Sequence, residues 1–95
     1  MVVGICTVQL RLDGNRSLKG KRAVLKPLLS RLHKEFNVAA AEVGALDAWE
    51  MAEIGLAAIA NEHAHVDQVL QNVVKWIEQS PLDVQLIDYQ IEIVS

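Results

Sequence analysis

Arg16, Lys19, Lys21, Arg22 and Lys26 bring five cations into one short stretch, with Ser17 among them. Side chains of this type neutralise phosphates, and a helix start adds backbone N–H groups that no helical carbonyl accepts. Asp47 and Trp49, further along the chain, complete the constellation, since an indole stacks on a base or anchors a protein partner. These eight residues are the candidate contact surface for RNA, the ribosome or another macromolecule. The same basic run also reads as a solvated helix face, and Trp49 as a lid over a sheet edge.

Charge is strongly polarised along the chain. Eight of the nine basic residues fall between Arg11 and Lys34. Residues 1–36 hold eight basic against two acidic side chains, a formal +6, whereas residues 37–95 hold one basic against ten acidic, or −9. The total of −3 argues against a generic polyanion binder, and no DNA partner is expected. A local basic patch is compatible with that total.

No catalytic constellation emerges, and the chain is read as a binding protein rather than an enzyme. Asp47, Glu50 and Glu53 supply carboxylates near Lys19 and Lys21, but no activated nucleophile joins them. His63 and His65 are two positions apart, which on a helix turns them in different directions, and His33 lies elsewhere. Neither a metal nor any other cofactor is expected. Cys6 is the lone cysteine, so there is no disulfide framework, and its place in an apolar strand reads as packing.

The elements that must position these residues follow from periodicity. Val2 to Leu12 reads as a central strand, apolar at nearly every early position and alternating later, and Asp13–Gly14–Asn15 is turn chemistry that stops it. Ser17 is placed to cap a helix running to Phe36, with Val24, Leu25, Leu28, Leu29, Leu32 and Phe36 on one arc. Lys21 falls within that apolar arc and is expected to reach past the core edge. Pro27 predicts one kinked helix, with two short pieces as the alternative. Val38 to Ala45 reads as a second strand, Leu46 to Glu50 as a hairpin connection and Met51 to Ala60 as a third strand. Asn61 is placed to cap a second helix over Glu62 to Gln79, which Ser80–Pro81 ends. Val84 to Val94 is the last strand.

The order βαββαβ with right-handed crossovers predicts an α+β, ferredoxin-like two-layer sandwich. Its antiparallel sheet runs 4-1-3-2, with both helices on one face. The whole chain, residues 1–95, makes a single domain. Val8, Leu25, Leu28, Leu32, Leu56, Val69, Leu70, Val73, Ile87 and Ile91 are the expected core. The topology gathers residues 15–22, 47–50 and 80–83 at one end. The sheet lacks the stacking aromatics of an RNA-recognition motif on its first and third strands.

Several of these stretches carry a resemblance. Ser17–Leu18–Lys19 with Lys21–Arg22, Phe36–Asn37–Val38, Ala41–Glu42–Val43, Asp47–Ala48–Trp49 and Ala52–Glu53–Ile54–Gly55 resemble the YlxP-like bacterial family of unknown function. The likeness covers nearly the whole chain. It implies a small ferredoxin-like protein, often encoded beside genes for translation initiation and a ribosome-binding factor, and hence a connection with the ribosome or RNA. It supplies no catalytic residue. Gly20 departs from many members, which carry a Glu there that would complete a capping box with Ser17. A looser and more basic first turn is therefore expected.

Composition adds one further expectation. Hydrophobic residues make up 52% of the chain, more than two helices on one sheet face can cover, so a homodimer through the open face is expected. The alternative function is accordingly a homodimeric protein-interaction or small-ligand-sensing domain using that face. No segment approaches the roughly 18 apolar residues of a membrane span. The apolar start has neither a basic leader nor a small-residue cleavage site, so a cytoplasmic location without a membrane partner is expected.

Overall fold

Along β1 (Val2–Arg11) buried and open residues alternate: Val2, Cys6, Val8 and Leu10 are buried, and Leu12 extends the row past the strand. Gly4 sits in this row because a helix crosses there. A Cβ on Gly4 would run into Val66 and lie 3.0 Å from Leu70 Cδ1. The computed structural model describes residues 1–80 and 83–94, so Pro81, and with it part of the expected helix stop, lies outside the described residues.

The remaining elements are α1 (Leu18–Glu35), β2 (Ala39–Gly44), β3 (Met51–Ala60), α2 (His63–Glu78) and β4 (Gln85–Ile93). All strand pairs are antiparallel and the sheet order is β2-β3-β1-β4, which is 4-1-3-2 read from the opposite edge. α1 packs toward β2, while α2 lies across β1, β3 and β4. The buried residues of both helices join the same core as the even-numbered rows of β1 and β3. At the end far from the basic loop, Phe36 and Trp76 meet edge to face, with centroids 6.2 Å apart.

α1 is one continuous helix through Pro27. Proline removes the donor that the Ala23 carbonyl would otherwise receive, but both residues are exposed, so water can take its place. The expected Asn61 cap is not used. Glu62 holds the cap position of α2 and makes no side-chain cap bond, so this helix relies on its packed face.

Seven of the ten expected core residues are fully buried, and Val69 and Ile91 are partly buried against them. Ile87 is the correction, being 40% exposed. The β1–β4 register shifts between Gln9 and Leu10, which pairs Leu10 with Leu86 and leaves Ile87 as the extra residue. Such a bulge reverses which parity faces inward. Tyr89, Ile91 and Ile93 pair with inward-facing Val8, Cys6 and Gly4, whereas before the bulge Leu86 takes the inward place. Leu28→Ala or Leu70→Ala, at sites with 0% exposure, is expected to cost about 2–5 kcal/mol in urea unfolding. A loss under about 1 kcal/mol at both would contradict this packing.

Candidate nucleic-acid interface

The turn after β1 and the first turn of α1 are closed by short-range bonds. Ser17 has extended backbone, and its hydroxyl accepts from the Gly20 N–H at 2.9 Å, as its cap role requires. Asn15 Nδ2 donates to the Ser17 carbonyl at 2.8 Å and to the Trp49 carbonyl at 2.6 Å. A Cβ on Gly20 would collide with the Asn15 side chain. Asn15 thus occupies the space beside Gly20, and the turn is latched to the β2–β3 connection rather than left loose.

Lys21 departs from the position its sequence pattern predicts. It does not reach past the core edge: it is 2% exposed, and its Nζ donates to the carbonyls of Ala45 and Ala48 at 2.8 Å and of Met51 at 2.9 Å. Three N–H bonds exhaust an ammonium. Glu42 Oε2 lies 2.8 Å from the same nitrogen and forms an ion pair with it. Lys21 therefore leaves the contact set. A charge this deep is stable because three carbonyl dipoles and one carboxylate replace its water.

The connection it holds is itself shaped for the purpose. Ala45 adopts φ +53°, a left-handed conformation that costs a non-glycine residue about 1–2 kcal/mol. Its carbonyl accepts from both Lys21 and the Ala48 N–H at 3.0 Å, interactions that offset the strain. Farther along, Asp47 and Trp49 are exposed, the latter 54% open, and the Leu12 N–H donates to the Glu50 carbonyl at 2.8 Å. The predicted meeting of residues 15–22 with 47–50 is present, whereas residues 81 and 82 of the third expected segment, 80–83, lie outside the described residues. A small recess beside the ion pair is lined by Leu18, Lys21, Arg22, Glu42 and Leu46.

Lys19, Arg22 and Lys26 are all exposed and lie within about 60° of one another around α1, at 100° per residue. With Ala23, Pro27 and Ser30 they line a shallow groove of about 490 Å³ on the outer side of the helix. Arg16 is exposed in the loop just before it.

Cys6 faces the other way, into the core. Burial pushes its thiol up from 9.0 to about 11, and a backbone hydrogen bond at Gln90 offsets part of the rise. Above pH 9 the unfolded chain therefore loses this proton first, and stability falls as pH rises toward 11. Relative to Cys6→Ala, the wild-type chain should lose about 2 kcal/mol more over that interval in urea titrations. At pH 8 its thiol should resist iodoacetamide until the chain is unfolded.

Among the described residues no group of three or more His, Cys, Asp or Glu is placed to hold a metal ion, and no helix is long and apolar enough to cross a membrane. A family model described as "Protein of unknown function (DUF503)" matches residues 3–91. The chain belongs to this family. As a DUF503 protein it is similar to the uncharacterized protein YlxP of Bacillus subtilis (strain 168). The two are 40% identical over 65 residues, which cover 68% of this chain and 71% of that protein. This agrees with the resemblance carried by the Ser17–Arg22 and Asp47–Trp49 stretches. The DUF503 description assigns no chemistry.

Proposed function

We propose that this DUF503 protein is a cytoplasmic binding module that holds a single-stranded segment of ribosomal RNA along the outer face of α1. The observation that carries the reading is the exposed stripe Lys19–Arg22–Lys26 on one groove, with Trp49 exposed at the hairpin that Asn15 latches to the start of the same helix. Three cations at this spacing track a backbone, and the indole offers a stacking surface beside it. The acidic remainder, −9 over residues 37–95, repels a polyanion elsewhere and orients the bound strand. The ferredoxin-like arrangement serves as a scaffold, and the RNA contact is on a helix rather than on the sheet.

Fluorescence anisotropy with single-stranded ribosomal RNA fragments, together with cosedimentation with ribosomes, tests the reading. Wild-type protein should bind both at low salt. The Lys19→Glu/Arg22→Glu/Lys26→Glu variant should bind neither.

A further inference from the structure

We infer that the recess at the seam of α1 and β2 takes one guanine base of the bound strand, and that Glu42 reads it. The inference rests on the reading of α1 as an RNA-binding helix and names what that RNA must contain. The recess measures about 220 Å³ and is lined by Leu18, Lys21, Arg22, Glu42 and Leu46. This is below the roughly 300–1,000 Å³ of drug-sized sites and suits a single flat ring system.

The lining combines apolar walls with one fixed acceptor. Leu18 and Leu46 are 36% and 59% exposed, large apolar side chains that a base would cover. Glu42 is held by the 2.8 Å ion pair between its Oε2 and Lys21 Nζ, and that oxygen is buried. The Glu42 side chain as a whole is 24% exposed, so the oxygen left open to a ligand is Oε1. Lys21 also cancels the charge of the carboxylate, so a phosphate backbone passes the recess without repulsion.

An ionised carboxylate only accepts and an arginine only donates. Guanine gives the carboxylate two neighbouring donors, N1–H and the N2 amine, and offers O6 beside them to the guanidinium. Adenine and cytosine give it one amine next to an acceptor ring nitrogen, which a carboxylate repels. Uracil gives it one N–H between two carbonyl oxygens. Arg22 lines both this recess and the groove shared with Lys19 and Lys26, so a strand lying along the groove passes the mouth. Its several N–H donors can hold O6 and a phosphate together.

Fluorescence anisotropy with short single-stranded oligouridines tests this, comparing the plain oligomer with ones carrying one central guanosine, inosine, adenosine or cytidine. Wild-type protein should bind the guanosine oligomer about tenfold tighter than the plain, adenosine or cytidine ones. Inosine, which lacks the N2 amine, should fall between. In Glu42→Gln the amide carbonyl stays on Lys21 and an NH₂ group faces the base, so the preference for guanosine should disappear. Leu46→Ser, at an exposed position, should reduce it as well, and circular dichroism melting shows that each variant is folded. Free guanosine monophosphate should displace the oligomer only at far higher concentration, since it meets Arg22 but not Lys19 and Lys26; displacement at equal concentration would assign the recess to a free nucleotide instead. Equal affinity for all oligomers, or a preference that both folded variants retain, would overturn the inference and spare the reading of α1. Binding to no oligomer at low salt would overturn both.

Discussion

Replacing Lys21 by methionine is expected to remove about 3–5 kcal/mol of stability, because it leaves a buried ion pair half broken and takes the ammonium away from three carbonyls, of which only that of Ala45 keeps the Ala48 N–H. Methionine fills most of the same volume, so little of the effect comes from a cavity. The carbonyls of Ala45, Ala48 and Met51 turn toward one nitrogen, and the Ala45 carbonyl also accepts from the Ala48 N–H. Glu42 would keep its carboxylate in a half-closed site with no cation beside it. For a chain of this size that loss is a large part of the roughly 5–15 kcal/mol available, and the melting temperature should fall by at least about 12 °C. Glu42→Gln should cost less, since the three carbonyls still hold the ammonium and the carboxylate is itself reached by water. Adding Glu42→Leu to Lys21→Met should restore only part of the loss, because the three carbonyls still lack the ammonium. Equal unfolding midpoints for wild type and Lys21→Met would show that the latch contributes nothing.

The architecture was legible because the periodic signals are strong and agree with one another. Val8 and Leu10 alternate with Gln9 and Arg11, and the Leu25–Leu28–Leu32 stripe follows a serine in cap position. What escaped is what depends on counting through irregularities. Alternation places Ile87 inward only if the parity of Ile91 carries across the bulge, and a bulge leaves no mark in a run of alternating residues. Lys21 escaped for a different reason. A lone lysine in an apolar arc is normally drawn out to water by its desolvation cost, and only three inward-turned carbonyls from a distant loop reverse that balance. One signal for it was present: Glu42 shares the inward row of β2 with Ala40, an acid that needs a buried partner. The meeting of residues 15–22 with the hairpin at 47–50 is readable from topology alone, because strand direction decides which loops share an end. Gly20 misled for want of Asn15, whose side chain does the closing that a glutamate would have done from within the helix.

The removal of Lys21 from the contact surface changes what RNA binding should look like. At most Arg16, Lys19, Arg22 and Lys26 remain to meet phosphates, so the slope of log affinity against log salt should be about −2 to −3 for a single strand. Reversing three of the four turns attraction into repulsion at each contact, and affinity at low salt should fall by about 100-fold or more with the slope near zero. Trp49→Ala should act separately. If the indole stacks on a base the cost is about 1–3 kcal/mol, with no change in salt slope, since no phosphate contact is lost. Measurements on Lys21→Met divide the two roles of the basic stretch. Under conditions where that variant is still folded, its salt slope should match wild type, because its ammonium never faced the RNA. A slope reduced by about 0.7 in folded Lys21→Met would return Lys21 to the interface. Binding that survives the triple reversal would place the RNA elsewhere on the molecule and leave the α1 stripe as a solvated face.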